Sequence, residues 1–170
     1  MPASANAPTE VAWLDPEEQV AWRHFLHGTM RLTDGLSQAL EQDQGIDLSL
    51  AEYEILVRLS EMPGRRIRMS VLADQVVHSR SRLTHTIARL ERRGLVNRVR
   101  CPDDGRGREA VLTDDGLALL EYAAPRHVAS VRALLLDVVG REDLLTLGRI
   151  LGRTLEEAGT PSDASSAPSA

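Results

Sequence analysis

The stretch from Ser79 to Thr113 constrains this chain most, because it carries two different hydrophobic periods separated by a glycine. Leu83, Ile87 and Leu90 recur at spacings of four and three, the mark of one buried face on a helix running from about Ser79 to Arg93. Gly94 is a natural stop for that helix. Leu95-Val96-Asn97-Arg98-Val99-Arg100 then alternates apolar and polar, as a half-buried strand does. Residues 102–107 read as a turn and Glu109-Ala110-Val111-Leu112 as the returning strand. A helix feeding a β-hairpin with a basic tip is therefore the centre of the molecule.

Helices flank this centre. Asp15-Pro16-Glu17-Glu18 offers a capping Asp, a Pro at the first helical position and a Glu three residues after the cap. The helix it starts is predicted to reach about Gln44. Ser49 with Glu52 predicts a second capping box, and the helix it opens stops before Pro63-Gly64. A short extended piece at residues 67–69 follows, and Ser70 is read as the cap of a third helix, Val71 to Val77. After the hairpin, Thr113 caps a long helix with acidic residues in its first turn, where Pro125 predicts a kink. A last helix spans about Glu142 to Glu157. Residues 1–12 and 160–170 are rich in Ala, Ser and Pro and read as disordered tails.

The predicted fold is mainly α with a small β-hairpin wing: a winged helix-turn-helix lobe at residues 49–113. An N-terminal helix (13–48) and C-terminal helices (114–159) flank it. These outer helices are apolar on more than one side, which a second copy of the chain would cover, so a homodimer is expected. No apolar run nears the length of about 20 residues that spans a membrane. With no signal-peptide pattern and a single cysteine, the chain reads as cytoplasmic.

The net charge of −5 argues at first against a polyanionic partner. Its distribution reverses that argument. All 20 basic residues are Arg, and twelve lie between Arg65 and Arg108 against four acidic ones, a local charge of +8. A basic centre in an acidic chain points to a localised polyanion site, and on a winged helix-turn-helix the expected polyanion is double-stranded DNA. The candidate contacts are Ser79, Arg80, Ser81, Arg82, Thr84, His85 and Arg89 on the helix, and Arg106 and Arg108 at the hairpin tip. Hydroxyls and helix-start N–H groups suit phosphate, and Arg suits both phosphate and guanine edges. The alternative for the same residues is a solvated charged face. No nucleophile–base pair, phosphate loop or paired metal motif is present, so neither an enzyme nor a cofactor is expected. His24 and His27 lie three apart but lack further ligands at a recognisable spacing, and no metal site is assigned.

The run Leu72-Ala73 … Ser79-Arg80-Ser81-Arg82-Leu83-Thr84 … Arg89-Leu90-Glu91-Arg92-Arg93-Gly94-Leu95-Val96 … Arg98, then Asp104-Gly105-Arg106-Gly107 … Leu112-Thr113 … Gly116, resembles the MarR family of bacterial regulators. The resemblance covers about residues 17–157. It implies a homodimeric regulator, a repressor more than an activator, with the fourth helix in the major groove and the wing in the minor groove. It also implies release by a small aromatic or anionic effector, bound between the first, second and fifth helices and the DNA-binding lobe. Trp22, Phe25, Met30 and Tyr53 are then candidate lining residues, although ordinary core packing accounts for each singly. Gly105 departs from the family, which commonly has a basic residue there, and throws the wing's contact onto Arg106 and Arg108. Two other readings stay open: a winged-helix module that binds an acidic protein, and a redox-responsive regulator using Cys101, which sits beside Arg100.

Overall fold

Asp15 and Ser49 start their helices as their sequences predict. The Asp15 carboxylate accepts from Glu18 N at 2.8 Å, and Glu18 Oε2 accepts from Asp15 N at 2.8 Å. In the computed structural model, which describes residues 11–75, 80–101 and 107–159, this box opens α1 (Pro16–Glu41). The helix stops short of Gln44 because Asp43 forms a turn of its own, accepting from Gly45 N on its side chain and from Ile46 N on its carbonyl. Ser49 and Glu52 repeat the reciprocal cap at the start of α2 (Leu50–Glu61).

A short 3₁₀ turn, Pro63–Arg65, leads into β1 (Arg66–Arg68), and β1 runs directly into α3 (Met69–Gln75). Ser70 is therefore the second residue of α3 and not its cap: the strand ends one residue before the helix begins and leaves no position for one. The predicted end of this helix, Val76-Val77, lies outside the described residues. The fourth helix, α4 (Arg80–Arg92), buries Leu83, Ile87 and Leu90 as its periodicity requires. It ends at Gly94, whose φ of 73° lets Gly94 N reach Glu91 O and Leu95 N reach Leu90 O, both at 3.0 Å.

The hairpin is β2 (Val96–Arg100) and β3 (Arg108–Leu112), antiparallel, with Val96 opposite Leu112 and Arg100 opposite Arg108. The extended piece expected at residues 67–69 is a third strand one residue earlier, at 66–68: β1 pairs with β3 on the other side, giving the order β1-β3-β2. Arg108 is thus the first residue of a strand, not part of the tip where the sequence reading put it.

Thr113 joins the hairpin to α5 (Asp114–Val131). Its Oγ1 accepts from Gly116 N at 3.0 Å and donates to Gly94 O at 2.8 Å, while its N–H bonds Leu95 O at 3.1 Å. Pro125 does not interrupt α5; the helix runs through it to Val131. Pro125 and Glu121, whose carbonyl loses a donor, are both exposed, so water can take that bond. The irregularity falls later, in a π-helical segment at Arg132–Leu136, followed by α6 (Asp137–Val139) and α7 (Arg141–Gly159).

The buried core lies wholly between Leu40 and Ala123, with Ile55, Leu56, Leu59, Leu72, Leu83, Ile87, Leu90, Val96 and Leu112 at its centre. The outer helices contribute little to it. Trp22, Met30, Val138, Ile150 and Leu155 remain exposed on α1, α6 and α7. No helix among the described residues is long and apolar enough to cross a membrane.

Candidate nucleic-acid interface

Recognition by a helix needs one face anchored in the protein and the other bare. Burial of Leu83, Ile87 and Leu90 fixes which way α4 turns, and Ser81, Arg82, Thr84, His85 and Arg89 are then exposed. Ser79 and Arg106 lie outside the described residues, as does the side chain of Arg80.

The exposed residues of α4 are not equivalent. Arg82, Thr86, Arg89 and Arg93 recur at four, three and four and form the flank nearest the turn before α2. Arg93 donates to the carbonyls of Ile46 and Asp47, which holds that turn against α4. Arg89 Nε stands 2.7 Å from Oε1 of Glu52, a carboxylate only 1% exposed. The contact pairs a buried carboxylate with a half-exposed guanidinium at close range. Arg82 and Thr86 line a cleft with Ser49, Leu50 and Glu54. The outward stripe is instead Ser81, His85, Ala88 and Arg92, and Arg92 was missed as a candidate. The same four-three-four spacing could have found it.

The wing is tied to this helix. Arg98 Nε donates to Glu91 Oε2 at 2.8 Å, and Arg98 N donates to Glu91 Oε1 at 3.3 Å. These bonds, with the charges of Arg98 and Arg108, hold the Glu91 carboxyl below its ordinary range. Further out, Arg100 and Arg108 face each other across β2 and β3, both exposed. Like charges directly opposite in a ladder are unfavourable in isolation and suit a surface that meets a polyanion. Arg100 was also overlooked, since its cross-strand partner depends on register.

The four candidate effector residues do not converge. Phe25 lines an apolar cleft of about 530 Å³ with His24, Leu32, Leu134 and Leu147. Tyr53 lines a separate cavity of about 350 Å³ between α1, α2 and α5, with Leu36, Arg58 and His127. There its ring packs on the His127 imidazole with centroids 4.3 Å apart. Burial lowers the His127 pKa against an upward pull from Glu54, and burial raises that of Tyr53. Trp22 and Met30 are 51% and 56% exposed and line neither space. Cys101 is 4% exposed and packs as a small apolar residue. Among the described residues, no three of His, Cys, Asp and Glu gather as a metal site would require.

Three helices around a core, the third of them a recognition helix, and a wing on a three-stranded sheet define a winged helix-turn-helix protein. A model of the MarR family matches residues 48–107. The crystal structure of Sco3205, a MarR family transcriptional regulator from Streptomyces coelicolor in complex with DNA, superposes with a TM-score of 0.83 and 41% identity, over 91% of this chain and 95% of that one. AbsC, a MarR family transcriptional regulator from the same organism, superposes with a TM-score of 0.80 and 43% identity, over 87% and 98%. The chain belongs to the MarR family of transcriptional regulators and not to a class of enzymes. Over 79 residues it is 34% identical to the transcriptional regulator HosA of Escherichia coli, 46% of this chain and 57% of that protein. It thus spans little more than half the length of that curated relative.

Proposed function

We propose that this chain is a homodimeric, sequence-specific DNA-binding repressor that a small aromatic or anionic effector releases from a palindromic operator. The observation that carries the DNA reading is the anchoring of α4. Its apolar face is buried, and its outer face is exposed beside a wing whose strands oppose Arg100 to Arg108. The DNA-bound state of Sco3205 supports the same use of the fold. Residues 49–113 form the DNA-binding lobe in this reading, and residues 13–48 and 114–159 form the dimerisation helices. DNA as the partner puts the site of action in the cytoplasm.

The dimer rests on the exposed apolar residues of α1, α6 and α7, which a second copy would cover. Two recognition helices related by a two-fold axis would then address half-sites about 34 Å apart. The effector reading rests on the Tyr53–His127 cavity, which joins α1 and α5 to the DNA-binding lobe and has the size of a small-ligand site. A ligand there would act by favouring one separation of the two lobes.

The test is fluorescence anisotropy with the chain's own upstream DNA, across a salt series and against a scrambled duplex, with sedimentation to count subunits per site. Selective, salt-dependent binding of two chains per site is expected. Equal weak binding to both duplexes would sink the regulator reading in favour of an acidic protein partner.

A further inference from the structure

We infer that Arg89, although exposed on the recognition helix, is a positioning residue that acts through the buried carboxylate of Glu52, and that the DNA-facing cation of this half of the helix is Arg92. The inference rests on the DNA-binding reading above.

Glu52 does two jobs with its two oxygens. Oε2 accepts from Ser49 N at 2.9 Å and Ser49 Oγ at 3.0 Å, closing the cap of α2. Oε1 is buried and has the Arg89 guanidinium Nε at 2.7 Å. A buried carboxylate oxygen needs a nearby cation, and among the described residues Arg89 is the one that supplies it. Moving Arg89 onto a phosphate would strip Oε1 of that charge. Contact with DNA through this guanidinium therefore carries a penalty that contact through Arg92 does not.

Geometry agrees with this division. Arg89 and Arg93 share the flank of α4 that faces residues 46–54, and Arg93 is already committed to the carbonyls of Ile46 and Asp47. Together the two guanidiniums tie this flank of α4 to the start of α2 and the turn before it, adding to the roll that the buried Leu83, Ile87 and Leu90 already set. Arg92 is exposed on the outward stripe with Ser81 and His85, and among the described residues its guanidinium makes a long 3.4 Å contact to Ala88 O in its own helix.

The experiment separates affinity from its salt dependence. Each phosphate contact adds about 0.9 to the slope of log affinity against log salt. Arg92→Gln should lower that slope by about 0.9 per subunit. Arg89→Gln and Glu52→Gln should each weaken operator binding, on the order of tenfold, with the slope unchanged. The double variant should be no worse than either single one. Arg89→Lys, which keeps a cation at Oε1, should retain most of the affinity and serves as the folded control. A slope that falls with Arg89→Gln but not with Arg92→Gln, or a Glu52→Gln chain that binds as the wild type does, would overturn the inference. The clasp is also read without DNA: urea unfolding of the two single variants and the double should be strongly non-additive, and additive losses would overturn it. Failure of the DNA reading would show separately, as wild-type binding with no selectivity.

Discussion

The Arg98 guanidinium lies 2.6 Å from Oε2 of Glu91, joining the first strand of the wing to the last turn of the recognition helix. Both side chains are partly exposed, so the pair stabilises the fold by less than about 1 kcal/mol. Its consequence is orientation, together with a carboxylate placed inside a basic surface. Glu91→Ala should leave the unfolding midpoint nearly unchanged while raising affinity for scrambled DNA more than for the operator. Anisotropy against both duplexes measures the ratio; an unchanged ratio would mean the wing is oriented by other contacts.

Arg100 and Arg108 repel each other across β2 and β3. Arg100→Ala should therefore be neutral or stabilising, by a few tenths of a kcal/mol, while DNA affinity falls and the salt slope drops by about 0.9 per subunit. Urea unfolding and anisotropy on the same preparation decide it. A variant that loses stability with unchanged binding would show that the pair serves the sheet.

Gly116 is required by space. A Cβ there would stand 2.2 Å from the Leu95 carbonyl oxygen, which itself accepts from Thr113 N. Backbone cannot give way as a side-chain tip can, so Gly116→Ala should cost about 3 kcal/mol or more. Gly94→Ala, strained by a φ of 73° but free of clashes, should cost about 1 kcal/mol. Similar losses from both would contradict the clash as the cause.

Stability should fall on the acid side in two windows. Burial depresses His127 in the folded state, so the unfolded chain takes up a proton first as pH drops below the ordinary value of 6.5. The folded state loses ground from there down to its own lower pKa. Glu91, also depressed, adds a second loss below the ordinary carboxyl value of 4.5. His127→Phe should flatten the first window and leave the second. Urea unfolding at a series of pH values reads this, and an unaltered profile would remove His127 as the titrating group.

Much of the fold was legible because its signals are local. The boxes at Asp15 and Ser49, the stop at Gly94 and the cap at Thr113 each need only a few neighbouring residues. The spacing of Leu83, Ile87 and Leu90 identified the buried face of α4 for the same reason. Ser70 was misread because it depends on what surrounds it, a strand that leaves no gap before the helix. The exposed flank of α4 was the harder case. Arg89 and Arg92 are both charged residues on one helix, and nothing local distinguishes a guanidinium that meets Glu52 from one that faces outward.

The sequence by itself determined the elements, their order, the basic centre and the family resemblance, since capping, periodicity and charge are properties of short stretches of chain. Only the tertiary structure decided which arginines are committed. The partners of Arg89 and Arg93 lie 37 and 46 positions away along the chain, at Glu52 and Asp47, while strand register sets Arg108 against the like charge of Arg100. Such pairings exist only once helix roll and strand register bring the residues together, and that depends on how the whole core packs.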